Sequence, residues 1–294
     1  MHMSRRSKLK RITLGNAVIL VALTMFMLMI LVPFINAVMI SFITQEEYLA
    51  NKFTLIPQKP TLNAYEKIFR EDWLAPAYGA SILIAGMGWI YCLSINVLTA
   101  YALTRRFPGK KLVFTFILIP MFFTGGLIPT YLLMVSLGLK NTYAALILPS
   151  GITMYYLLIM MTFFRELPAS LEESARLDGA SVLRILWSIY LPLSKSVLAT
   201  ISLFIVVTFW NEWFSALIYL DKPIRWPLQL HLRRIIDAAE STMTDRENAL
   251  LKINVYAEGV RMASVIVTML PIMFIYPFLQ KYFAKGVMIG AVKG

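Results

Sequence analysis

The sequence predicts an all-α membrane protein with six transmembrane helices and a short separate helix on the cytoplasmic side. Three observations lead there. The 294-residue chain is 59% hydrophobic and 15% charged, whereas an ordinary soluble domain is roughly 25% charged. Uncharged runs such as Leu14–Phe42, 29 residues, and Leu112–Leu139, 28 residues, are long enough to cross a hydrocarbon layer of about 30 Å at about 1.5 Å per residue. The net charge of +12 is also distributed unevenly, in a way that assigns sides.

Charges and helix breakers leave six apolar segments: Leu14–Phe42, Tyr78–Leu103, Leu112–Leu139, Asn141–Phe164, Ser196–Leu220 and Met262–Gln280. The first is too long for a signal-peptide core and lacks a small-residue cleavage site, so it reads as a retained helix with a kink near Pro33. Six spans put both termini on one face. With the amino terminus inside, the inner pieces 1–13, 104–111, 165–195 and 281–294 carry 16 Lys/Arg against 4 Asp/Glu, and the outer pieces 43–77, 140 and 221–258 carry 11 of each. The whole basic excess is therefore inside, as the positive-inside rule requires. Arg105-Arg106-Phe107-Pro108-Gly109-Lys110-Lys111 and the Arg5–Arg11 cluster read as topology signals rather than nucleic-acid contacts, since they flank spans directly. Residues 1–13 and 281–294 are accordingly a cytoplasmic basic N-terminus and a cytoplasmic tail around a transmembrane domain over 14–280.

The outer loop 43–77 contains a short helix candidate at Asn63–Phe69 behind an Asn or Thr cap, and the outer loop 221–258 contains two, at Leu228–Ala239 and Asp245–Val255. The inner segment 165–195 is the most informative. Pro168 stops the preceding helix, and Ser170 with Glu173 has capping-box spacing. Glu172 and Arg176 stand one turn apart, and Gly179 suits a left-handed helix end. A short autonomous helix follows. Beyond it Leu183, Leu186, Trp187 and Tyr190 recur at helical spacing, which predicts an amphipathic helix along the membrane surface, broken by Pro192.

The run Glu173-Ser174-Ala175, three residues, Gly179, nine residues, Ile189-Tyr190-Leu191-Pro192 resembles the EAA motif of permease subunits of ABC importers. It departs from that motif only in Ser174. Phe209-Trp210-Asn211-Glu212-Trp213 and the terminal Gly290-Ala291-Val292-Lys293-Gly294 are similar to the carbohydrate, maltose-permease-like branch, a resemblance covering the chain from Leu14 onward. Phe123-Thr124-Gly125-Gly126-Leu127-Ile128-Pro129-Thr130-Tyr131 resembles a subgroup for complex or uronate-containing oligosaccharides. The resemblance implies that Leu171, Glu173, Ala175, Asp178 and Gly179 form the surface that couples to the ATPase, and that Val292, Lys293 and Gly294 reach between the ATPases. It also implies the partners: a second permease subunit, two ATP-binding subunits and an extracytoplasmic solute-binding protein. The cofactors, ATP and Mg, belong to the ATPase subunits, with none on this chain.

Glu212 is the only acid within the spans, which makes it a functional candidate by default, although a structural role, holding Asn211 or a neighbouring helix, is favoured over direct sugar contact. Sugar sites combine aromatic platforms with amides and hydroxyls. Trp210, Asn211, Trp213 and Tyr131 supply such groups along a substrate pathway, as do Asn96 and Tyr155, although Trp and Tyr also line membrane interfaces. Gly125-Gly126 before Pro129 can unwind the third span beside a cavity or serve ordinary close helix packing at small residues. His231 shows no evident partner and reads as surface. The chain has no phosphate-binding loop of the Gly-x-x-x-x-Gly-Lys-Ser/Thr type, and its single cysteine and two histidines are too few for a metal or triad site. The reading is a non-catalytic permease subunit for a sugar or oligosaccharide. The alternatives it leaves open are an importer for an amino acid or polyamine and, from another class, an ion-coupled secondary transporter. The latter is disfavoured by the scarcity of intramembrane charge.

Overall fold

The structure is a computed structural model that describes residues 14–244 and 257–291. The basic cluster at 5–11, the helix expected at Asp245–Val255 and the tail residues Val292, Lys293 and Gly294 lie outside the described residues. Among those described, the chain is helical without strands.

Two compact units are distinguished. The first comprises residues 1–70 and 245–266. Its helix α1, Leu14–Ile40, runs unbroken through Pro33. No residue in the apolar window of α1 is buried, so lipid or another chain must cover it. Short helices α2 (Gln45–Ala50) and α3 (Asn63–Phe69) follow. Thr44 Oγ1 caps α2 by accepting from Glu47 N at 3.3 Å. At α3 the cap position is Leu62 and no side chain caps the helix; the Thr61 hydroxyl accepts from Asn63 N at 3.2 Å from one position further out, so the expected Asn or Thr cap is absent.

The second unit, residues 71–244 and 267–294, is built around α4, Leu74–Thr104, which packs against α8 (Met154–Glu166) and α12 (Lys195–Trp210). The interface buries Ala77, Ile84, Ala100, Leu157, Met160, Ile201 and Ile205. Gly88 is required there: a Cβ at that position would stand 2.5 Å from the Phe209 ring. Helix α15 (Ala257–Ala291) is helical beyond Gln280, so the segment read as a tail continues the helix through Ala291.

Among the described residues, three helices are long and apolar enough to cross a membrane alone, and three bent pairs raise the number to six if each pair is one span. The third span is α5 (Lys110–Phe122) and α6 (Leu127–Ser136), bent by 117° across the Phe123–Gly126 break, the unwound alternative of the two open to Gly125-Gly126. The fourth was read as continuous and is not. Helix α7 (Ala144–Ile147) and a 3-10 turn through Ser150 meet α8 at 49°. The broken backbone is satisfied from α4, where fully buried Asn96 donates to Gly151 O at 2.8 Å and accepts from Thr153 N at 3.3 Å. Asn96 also donates to Cys92 O at 2.7 Å. Its amide is thereby committed to the fold rather than offered to a sugar. The expected fifth span likewise divides: α12 stops at Trp210 and α13 runs Phe214–Tyr219.

Candidate functional site: a coupling helix and an intramembrane cavity

The segment after α8 folds largely as its chemistry dictates. Leu167 is extended before Pro168, the conformation a following proline favours, and α9 (Ala169–Leu177) begins directly after it. The helix starts two residues earlier than a Ser170 cap needs, so Ser170 lies inside it and no side chain caps it. The expected Ser170–Glu173 capping box is therefore absent. Its end is as expected. Gly179 takes φ +76°, Ala180 N donates to Ala175 O at 2.9 Å, and Gly179 N to Arg176 O at 3.0 Å. The first of these is the 6→1 bond of a Schellman-type stop. Leu171, Glu173, Asp178 and Gly179 are exposed and Ala175 is half-buried.

A second helical stretch follows: α10 (Val182–Ile185), a π turn through Tyr190, and α11 (Leu191–Leu193). It meets α12 at 84°. Pro192 does not break it. The wider turn from Leu191 N to Leu186 O admits a proline at the start of α11, and the chain bends only at Ser194. Ile185, Leu186 and Tyr190 are buried, while Leu183 and Trp187 are exposed. The four residues expected to share one apolar face therefore divide, Leu186 and Tyr190 inward and Leu183 and Trp187 outward.

Glu172 ties α9 to the rest of this unit, a feature the motif spacing does not reveal. Its carboxylate pairs with Arg105, which follows α4, and with Arg176 at 2.8 Å. Tyr190 Oη donates to it at 2.8 Å. Burial pushes the Tyr190 phenol up, against the lowering effect of Arg105, so at neutral pH it remains a donor. A cleft of about 670 Å³ lies beside this cluster, lined by Arg105, Arg106, Glu172, Glu173 and Arg176 among others.

The five residues assigned to the substrate pathway do not share one surface. Trp210 is 4% exposed, with Nε1 donating to Thr268 O at 3.2 Å; its indole belongs to the core, which corrects its place in the pathway. Glu212 accepts from Ser215 N at 2.8 Å and so opens α13, the structural alternative weighed for it. Asn211 is exposed and accepts from Gln229 Nε2 at 3.1 Å. Trp213 lies edge-on to Phe214 with the Arg233 guanidinium 5.3 Å from its ring. Tyr131 stacks on Tyr219 at 5.9 Å, inclined by 14°.

A cavity of about 450 Å³ instead lies beside the breaks, lined by Cys92, Met121, Thr153, Tyr155, Tyr156 and Thr208 among others. It includes none of the five residues, and it carries no charged side chain. Of these residues the sequence reading picked out only Tyr155; the missed signal was the pair of prolines, Pro120 and Pro149, that line the same cavity. His231 also differs from expectation. It is half-buried in α14 (Leu228–Thr244), stacked on Trp73 at 4.5 Å and 13°, with Trp226 at 5.4 Å. Burial holds its pKa below the ordinary histidine value, and Arg234 adds to that effect while a hydrogen bond with the Pro223 backbone opposes it.

The described chain is a set of apolar, partly broken helices with a self-contained helix after α8, and residues 100–289 match the family described as the binding-protein-dependent transport system inner membrane component. The chain belongs to that family and is a permease subunit of an ABC importer. Among its relatives, the polygalacturonan/rhamnogalacturonan transport system permease protein YtcP of Bacillus subtilis is 40% identical, with 92% of this chain and 96% of that one aligned. The trehalose/maltose transport system permease protein MalG of Thermococcus litoralis is 31% identical over 99% of each. A solved structure of a bacterial ABC transporter involved in import of the acidic polysaccharide alginate contains a chain 29% identical, with a TM-score of 0.81 over 96% of this chain and 100% of that one.

Proposed function

We propose that the chain forms half of the membrane pathway of an ATP-driven importer for an oligosaccharide, with uronate-containing chains as the leading class. ATP hydrolysis, with its Mg, takes place on two partner subunits, and a second permease subunit completes the pore. A solute-binding protein delivers cargo to the loops 43–77 and 221–258, and both termini are cytoplasmic. The charge distribution supports the orientation, and the relatives named for pectic polymers, trehalose/maltose and alginate support the cargo class.

The single observation that carries the reading is α9. This helix is stopped at both ends, by Pro168 and Gly179, is fastened through Glu172, and keeps Leu171, Glu173 and Asp178 exposed. A rigid element with one free face can transmit a partner's motion, whereas a flexible loop would absorb it. The tail residues Val292, Lys293 and Gly294 are assigned to the same partner.

Two variants test this. Gly179→Val forces a β-branched residue into a positive φ, and Ala175→Arg adds bulk and charge to the docking face. Both should abolish co-purification of the ATPase or its stimulation by cargo while the chain still inserts. Wild-type association and stimulation in both would make α9 a linker and refute the reading.

A further inference from the structure

We propose that Glu172, the acid preceding the motif glutamate, is a positioning residue: it latches the coupling helix to the end of α4, so that displacement of α9 moves the second span directly. The proposal rests on the reading of α9 as the ATPase contact, and its first test is independent of that reading.

The latch draws on four elements. Arg105 follows α4, Glu172 and Arg176 lie on α9, Tyr190 closes the π turn, and Phe164 lies in the last turn of α8. Arg105 pairs with Glu172 and donates to Tyr101 Oη, and its guanidinium lies 4.3 Å from the Tyr101 ring and 5.4 Å from the Tyr190 ring. Tyr101 Oη in turn donates to Val182 O at 2.9 Å, holding the segment that follows α9. Tyr101, Phe164 and Tyr190 meet edge to face, with centroids 4.9 to 6.5 Å apart. The side chains of Arg105 and Glu172 are only 16% and 18% exposed.

Stability alone does not account for a largely buried ion pair at this place. Apolar residues of similar volume commonly do as well or better, and the attested use of such pairs is to fix one register. Planar Arg bound to a carboxylate and framed by rings specifies direction as well as distance. Glu172 is also shared with Arg176, whose side chain is 55% exposed. Glu173, one position on, points to solvent. The two adjacent acids thus divide the work, one facing inward to the bundle and one outward to a partner.

The first test measures a distance in the full chain in lipid nanodiscs, with Cys92→Ala and spin labels at Phe107→Cys and Ser174→Cys, both exposed positions. The native pair should give one narrow distance, and Glu172→Gln and Arg105→Gln should broaden it. Tyr190→Phe, which keeps the rings, should broaden it less. In an Arg176→Gln background, exchanging the charges (Arg105→Glu with Glu172→Arg) should narrow it again. In the reconstituted importer, Glu172→Gln should lower cargo stimulation of ATP hydrolysis by roughly ten-fold with ATPase association retained, and the exchange should recover part of it. Narrow distances in all single variants would overturn the latch. So would broadened distances with undiminished stimulation. Failure of the wild-type chain to bind an ATPase, with distances responding as stated, would refute the functional reading and leave the fastening intact.

Discussion

Replacing Tyr78 by Phe removes one oxygen and leaves the ring, and the structure fixes what that oxygen does. Pro271 lies inside α15, and a proline has no N–H for the carbonyl four residues earlier, here Val267. Tyr78 Oη donates to that carbonyl at 2.6 Å, and Trp210 Nε1 donates to the next one. Without the hydroxyl, Val267 O is left unpaired where water does not reach, a cost of about 1–3 kcal/mol; hydrogen bonds inside membrane proteins average nearer 0.6 kcal/mol, so about 1 kcal/mol is the working figure. The explanation has a sharper consequence. Pro271→Ala restores the helical donor, and in that background Tyr78→Phe should cost almost nothing. Unfolding of the four proteins in mixed micelles, followed by tryptophan fluorescence, gives the cycle. If the two substitutions add to within about 0.5 kcal/mol, the proline is not the reason for the tyrosine.

Two further outcomes follow from the fold. In a Cys92→Ala background, Ala50→Cys and Lys222→Cys should react with an impermeant reagent in intact cells, and Pro108→Cys and Asp178→Cys should not; labelling at 108 from outside would reverse the topology. His231 has a folded-state pKa below its ordinary 6.5. The unfolded chain therefore binds more protons as pH drops through that value, and the stabilisation is complete above it and lost below it. Wild type should lose more thermal stability than His231→Phe between pH 7.5 and 5.5, and equal losses would show that the imidazole does not titrate against the fold.

The parts of the fold that were legible in the sequence rest on short-range chemistry. Pro168 and Gly179 bound α9 because each acts on its own backbone, and Gly125-Gly126 opens the third span for the same reason. The pairing of Glu172 with Arg176 was legible from local spacing and is present, but its second partner, Arg105, is 67 positions away in the chain and was not; the same spacing offered Glu173 a capping role that the earlier helix start removes. Similarly, Asn96, Trp210 and Glu212 have the polar groups of a sugar site, but each is spent on a defect of the backbone: the turn at Gly151–Thr153, the carbonyls around Pro271 and the start of α13. In a membrane, polar side chains beside helix breaks are first of all the partners of the broken backbone. His231 was read as surface because Trp73 and Trp226 become its neighbours only in the folded chain.

The central claim is that this chain passes an oligosaccharide under the control of an ATPase bound at α9. The most direct measurement is ATP hydrolysis by the reconstituted assembly, with its cognate binding protein, across a panel of neutral and uronate oligosaccharides and one amino acid. The account predicts stimulation by an oligosaccharide, strongest for a uronate chain, and its loss in Gly179→Val. Stimulation by the amino acid alone, or hydrolysis indifferent to every cargo in the wild-type assembly, would contradict it.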